Sequence, residues 1–151
     1  MKSVSEATNN PVPYAIAEII KVVAMSRITD TYGPIPYSKI GADGKITIPY
    51  DSQEDVYNKF FEELNQAIEI LTENSGSALV ATADYVYSGN VAKWIKFANS
   101  LKLRLAIRVA YANKTLAQEM AESAVKHEFG VIESNADNAK WNYFGTIPNP
   151  L

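Results

Sequence analysis

Residues 51–71, DSQEDVYNKFFEELNQAIEIL, place an apolar side chain at every third or fourth position, and this pattern constrains the fold more than any other stretch. Val56, Phe60, Leu64, Ala67, Ile68 and Leu71 fall in one stripe of a 3.6-residue helix. Glu62, Glu63, Glu69 and Glu73 lie on the other side, as a solvated acidic face. The start is sharp. Asp51 with Glu54, or Ser52 with Asp55, has the spacing at which two side chains satisfy each other's backbone amides. Such a helix is marginal alone and has to bury its stripe on a neighbour.

Three more segments offer that neighbour. The first runs from about Val12 to Ile28, started by Pro11 and Pro13, with Ile16, Ile19, Ile20, Val23 and Ala24 on its expected buried face. Arg27 falls near its end, where a cation meets the terminal carbonyls with Asp30 in reach. The third helix, about Val91 to Ala112, is apolar around most of its circumference. Trp94, Ala98, Leu101, Leu105 and Val109 share one side, with Phe97, Leu103, Ile107 and Tyr111 elsewhere, so it is expected to be covered on more than one side. In the fourth, Thr115 with Gln118 supplies a capping pair, Leu116, Ala117, Met120, Ala121 and Ala124 face inward, and Phe129-Gly130 stops the helix.

The connections are specific. In residues 29–38, TDTYGPIPYS, Gly33 can take a positive φ, Pro34 and Pro36 fix their own φ, and each proline pushes its predecessor out of the helical region. This is a stiff connection, with Tyr32 and Tyr37 expected to pack within it. Gly41 to Gly44 reads as a turn before the short apolar Ile46-Thr47-Ile48, Asn74 to Ala83 as a loop, and the chain from Val131 onward as extended or loop. Without a run of alternating strands, the fold class is all-α, built of antiparallel helix pairs with long ordered loops. Two such pairs resemble a short solenoid, although the strict tetratricopeptide consensus is absent.

With 151 residues, 47% of them hydrophobic, the chain is expected to form a single helical-repeat domain over residues 1–151. A net charge of −3 argues against a polyanion partner, so no nucleic acid is expected. There is no cysteine, which removes disulfides, thiolate zinc and thiol catalysis. The nearest approach to a membrane span, Ile16 to Met25, is broken by Glu18 and Lys21, so the chain as given is expected to be soluble. Its last residues, GTIPNPL, form an extended proline-containing run, from which a piece of a longer protein is expected.

The third helix and its exit carry Lys93, Lys96, Lys102, Arg104, Arg108 and Lys114, and Lys93, Lys96, Arg104 and Arg108 share a stripe. Given the negative net charge, that stripe is expected to face the acidic second helix or C-terminal carbonyls. Asp43, Asp84, Asp137 and the lone His127 are scattered without ligand spacing, so no metal or cofactor is expected. His127 reads as a cap at the end of the fourth helix. Ser100 sits mid-helix with no second histidine to activate it, which argues against an enzyme. Aromatic faces stack on sugar rings. Tyr85, Tyr87 and Trp94 are expected in the core. Trp141 and Tyr143, outside any helix, are the candidate carbohydrate-binding residues, with packing as the alternative for both.

The order ITDTYGPIPYS, YDSQEDVYNKFFEELNQAIEIL, DYVYSGNVAKWIKFANSLKLRLAIR and FGVIESNADNA resembles the SusD/RagB family of outer-membrane nutrient-binding lipoproteins, from about Ile16 to Tyr143. The resemblance implies a tetratricopeptide-like α-α superhelix that scaffolds a glycan-binding surface and docks on a TonB-dependent, SusC-like transporter. It implies a non-catalytic role, an oligosaccharide or peptide ligand, and a surface-exposed lipoprotein of the outer membrane in the full-length form. TYGPIPYS would lie between the helices of one pair. The alternative is a tetratricopeptide-like protein interaction module of unrelated role.

Overall fold

The structure, a computed structural model, describes residues 5, 7–41, 47–77 and 79–140. Among them α1 (Val12–Tyr32), α2 (Gln53–Glu73), α3 (Val91–Val109) and α4 (Lys114–Val125) build the core, with 3-10 turns at Ala81–Ala83 and Asn135–Asp137. The helices run antiparallel to their neighbours in order. The end of α1 meets the start of α2, where Gln53 Nε2 donates to Thr29 O at 2.9 Å and the Tyr57 hydroxyl to Asp30 Oδ1 at 2.5 Å. Midway along α2 and α3, Lys102 Nζ donates to Asn65 Oδ1 at 3.1 Å. The result is an all-α, tetratricopeptide-like arrangement of helix pairs.

α2 buries the stripe its sequence announces, and Tyr57 and Phe61 join it. Of the two capping pairs the structure uses Ser52 with Asp55: the Asp55 amide donates to Ser52 Oγ at 3.1 Å, and that hydroxyl donates to Asp55 Oδ2 at 2.7 Å. Asp51 does something else. Its amide donates to Ile35 O at 2.9 Å, and its carboxylate accepts from the Tyr37 amide (2.9 Å), the Ser38 amide (2.6 Å) and the Ser38 hydroxyl (2.8 Å). The bonds from Ser38 hold this carboxyl below the usual carboxylate range. One residue thus closes the loop between α1 and α2. The connection is stiff, as expected, with Ile35 and Tyr37 buried and Tyr37 edge-on to Phe60 at 5.1 Å. Most of the expected turn at 41–44, together with Ile46, lies outside the described residues.

α1 departs from its expected face. Val12, Ala15, Ile19, Val22, Ser26 and Thr29 are buried, whereas Ile20 and Ala24 are exposed. A helix apolar on nearly every side does not announce which side it buries. Small residues let α1 approach α2, and the buried hydroxyls are satisfied locally: Ser26 donates to Val23 O at 3.0 Å and Thr29 to Gly33 O at 2.6 Å. The helix also runs four residues beyond Ile28, which leaves Tyr32 at 76% exposure instead of packed in the connection.

α3 is the most thoroughly packed element, between α2 and α4, with Trp94, Ile95, Ala98, Leu101 and Leu105 buried. Ile107 in its last turn and Tyr111 just past its end are exposed instead of covered. Asp84, a residue with no expected structural role, organises the approach to α3. Its carboxylate accepts from the amides of Val86 (3.0 Å), Tyr87 (3.2 Å) and Gly89 (3.0 Å) and from the Trp94 indole (2.8 Å). Burial would raise its pKa, but those donors outweigh burial and hold it below the usual range. α4 begins earlier than its capping pair implied, at Asn113, whose side chain accepts from the Leu116 amide at 3.1 Å, and it ends at Val125.

The central packing of α3 implies that Leu101→Ala costs about 2–5 kcal/mol in a denaturant titration. Gly33 has φ 77° and ψ −127°, a region closed to β-branched residues, so Gly33→Val is expected to cost more than about 1 kcal/mol. Gly89→Ala should cost more than Gly33→Ala, because at φ 85° its Cβ would also stand 2.3 Å from Leu79 O. Asp84 carries a lowered folded-state pKa, so its contribution is present above the unfolded carboxyl range and is lost as pH falls through the folded value. Asp84→Asn should therefore cost about 2 kcal/mol at pH 7, by urea melts, and progressively less as pH falls below the unfolded carboxyl range.

Candidate functional site

Where the end of α1, the start of α2, the end of α3 and the start of α4 converge, a cleft of about 440 Å³ opens. Its centre is an ion pair, Arg108 Nη1 to Asp30 Oδ2 at 2.7 Å, with the Tyr57 hydroxyl on the other oxygen of Asp30. Burial, then the bond to Asp30, pushes the Tyr57 phenol well above its ordinary pKa, so it stays a donor. Gln53 spends its amide nitrogen on Thr29 and keeps its carbonyl; Asn113 spends its carbonyl on Leu116 and keeps its nitrogen. Glu54 and Asn58 add polar groups over a floor of Val109 and Leu116. Carboxylate, guanidinium and carboxamides over an apolar floor can receive a polyhydroxylated ligand. Arg27 takes no part: it is exposed, and Asp30, its expected partner, is held by Arg108 and Tyr57.

Three of the four residues in the basic stripe of α3 are engaged within the fold, mainly away from the acidic face of α2. Lys93 Nζ donates to Ala136 O at 2.7 Å, Lys96 pairs with Asp137 at 3.0 Å, and Arg108 pairs with Asp30, while Arg104 is exposed. Lys102, off that stripe, reaches Asn65 of α2. Nor is α2's outer face wholly solvated: Glu63 turns inward to Lys21 at 3.0 Å and to the Tyr37 hydroxyl. His127 lies past the end of α4 and caps no helix. Its ring accepts from the Phe129 amide and meets Thr72 of α2.

Of the aromatics, Tyr87 and Trp94 are buried and edge-on at 5.2 Å, and the Tyr87 hydroxyl donates to Asp137 O at 2.8 Å. Tyr85 is 43% exposed, because the turn held by Asp84 aims Tyr87 inward and Tyr85 outward. Trp141 and Tyr143, the candidate carbohydrate-binding residues, and Asp43 lie outside the described residues. Among the described residues, no group of three acidic or histidine side chains is placed to hold a metal ion, and no helix is long and apolar enough to cross a membrane.

A family model described as "SusD-like: Susd and RagB outer membrane lipoprotein" matches residues 1–151. Comparison with solved structures places the chain beside a SusD homolog from Bacteroides uniformis, at 75% identity and a TM-score of 0.93, covering 99% of this chain and 30% of that one. A chitin-binding SusD homolog from Flavobacterium johnsoniae is 40% identical, with a TM-score of 0.83 and coverage of 91% and 30%. A SusD-like protein from Bacteroides thetaiotaomicron is 37% identical, with a TM-score of 0.81 and coverage of 90% and 28%. The chain thus spans about 30% of the length of these structures. The comparison with curated proteins found no match.

Proposed function

The chain belongs to the SusD-like family of outer membrane lipoproteins, and from that premise we propose that it forms the helical-repeat part of a non-catalytic glycan- or nutrient-binding component of an outer-membrane uptake system. The observation that carries this reading is a family match over the whole sequence, joined by a chitin-binding homolog at 40% identity. The helical pairs act as scaffold, and the proposed partner is a TonB-dependent transporter barrel at the outer membrane. The ligand is an oligosaccharide or a peptide. Trp141 and Tyr143 are the proposed stacking residues, since they fall outside every helix the sequence predicts, whereas Tyr37, Tyr57, Tyr87 and Trp94 are buried in the core.

Deleting the gene is expected to abolish outer-membrane uptake of at least one oligosaccharide or peptide class, with uptake unchanged across a panel overturning the reading. Specific recognition of a neutral sugar needs an aromatic platform ringed by rigid polar groups. The 151-residue chain by itself is therefore expected to bind neutral oligosaccharides no tighter than about 1 mM, about 4 kcal/mol, by isothermal titration. A micromolar complex lost on Trp141→Ala would show instead that a complete site resides in this chain.

A further inference from the structure

Lys102 presents a physical problem that the fold does not solve. Its side chain is on the inner side of α3 with 4% exposure, and among the described residues its ammonium meets no carboxylate. Its one hydrogen bond runs to Asn65 Oδ1 at 3.1 Å, and burial lowers its pKa. A buried ammonium with one neutral partner forfeits hydration without recovering it in an ion pair. Surface lysines of this chain do better: Lys96 and Lys126 each hold a carboxylate.

Lys102 lines a second cleft of about 340 Å³, between α2, α3 and the exit of α4. That volume is within the range of small-ligand sites, roughly 300–1,000 Å³. Around it stand Asn65, Thr72, Ser123 and His127. The protonation of the histidine ring follows from its bonds. The Phe129 amide donates to Nδ1 at 3.3 Å, so the proton is on Nε2, and burial, then the charge of Lys102, keeps the ring neutral at neutral pH. The Nε2 proton has only a long contact, 3.4 Å, to Thr72 Oγ1, a hydroxyl that itself donates to Ile68 O. The Asn65 amide nitrogen has only the Met120 sulfur, at 3.8 Å. The buried Lys102 and the half-buried His127 thus each bring an under-used donor to a largely apolar cleft, and the amide of Asn65 is a further donor on an exposed residue. The same cleft is lined by Glu69 and Glu73, which are exposed and accept hydrogen bonds only.

Donors inside and acceptors at the exposed side call for a ligand with a carboxylate at one end and hydroxyls at the other. We propose that this cleft binds the carboxylate of a hexuronic acid residue, with Lys102 Nζ and His127 Nε2 on the carboxylate and Glu69 and Glu73 on the ring hydroxyls. Chloride and sulfate lack hydroxyls, hydrogen phosphate and bicarbonate lack the spaced hydroxyls of a sugar ring, and a neutral sugar leaves the ammonium unpaired. The choice of a sugar acid rests on the nutrient-capture reading, whereas the need for an anion rests on the geometry alone.

The chain has a single histidine, so its ring signals in a proton spectrum are unambiguous reporters of the cleft. Methyl β-D-glucuronide, methyl β-D-glucoside and acetate would each be titrated at pH 7. The glucuronide is expected to shift the His127 ring signals at concentrations at least tenfold below either of the others. Lys102→Met, which keeps the stem and removes the charge, should weaken the glucuronide at least tenfold while leaving the melting temperature unchanged or higher. A glucoside as effective as the glucuronide, an acetate as effective as the glucuronide, a silent His127, or undiminished binding by Lys102→Met would each overturn the proposal. Failure here with gene-dependent uptake of other ligands leaves the uptake reading standing; binding here without any such uptake leaves this site and removes that reading.

Discussion

The carboxylate of Asp84 is the interaction on which the middle of the molecule depends. Four donors converge on it, three backbone amides of the turn before α3 and the indole of Trp94 on α3's first turns. With the turn pinned to the helix, Tyr87 is set edge-on to Trp94, and its hydroxyl reaches the turn at Asn135–Asp137, more than forty residues on. Lys93 and Lys96 bind that same turn from α3. A charge-assisted bond is about twice as strong as a neutral one, and shared among four donors it replaces the ladder that a strand would have supplied. Asp51 plays the corresponding part between α1 and α2, at the one point where Ile35 and Asp51 pair as an isolated antiparallel bridge.

How legible each helix was in the sequence follows from how one-sided it is. α2 alternates a strong apolar stripe with charge, so its buried residues could be named from spacing, and only Tyr57 and Phe61 widened the stripe. α1 is apolar on almost every side, and periodicity had nothing to select. Its buried face is decided by tertiary contacts, with Thr29 and Asp30 meeting Gln53 and Tyr57. The capping of α2 was ambiguous for a similar reason. Asp51 and Ser52 both have the right chemistry, and the choice between them is made by Ser38 and Tyr37, which claim Asp51 from across the loop.

The site was less legible than the fold because its residues come together only through packing. Asp30 and Arg108 lie at the far ends of α1 and α3, and nothing in their spacing pairs them. Lys102 read as one of six basic residues of a charged helix; that it differs from the other five is visible only once α2 and α4 close over it. A weak signal was present. Lys102 falls between Leu101 and Leu103, on the side of the helix opposite the stripe formed by Lys93, Lys96, Arg104 and Arg108, so that a solvated face would not include it. Glu63 is the acidic counterpart, a carboxylate of α2 one position nearer the buried stripe than Glu62.

These bonds share a feature that bears on what such a scaffold can do. Many of the long-range polar contacts that hold the loops run between a side chain and backbone: Asp51 from the amides of Tyr37 and Ser38, Asn99 Nδ2 to Gly130 O at 2.9 Å, Ser100 Oγ from the Ile132 amide at 2.8 Å. Those from Asn99 and Ser100 tie a connection directly to the buried helix α3, and that from Asp51 ties the loop back to the start of α2. Loops fixed in this way are ordered before any ligand arrives, so a ligand need not supply the free energy of ordering them, which otherwise subtracts from affinity. The clefts found here open where helix ends and such tethered connections meet, one at Asp30 and Arg108 and the other beside the exit of α4, and in both the polar groups left unengaged belong to residues whose other atoms are already committed to the scaffold.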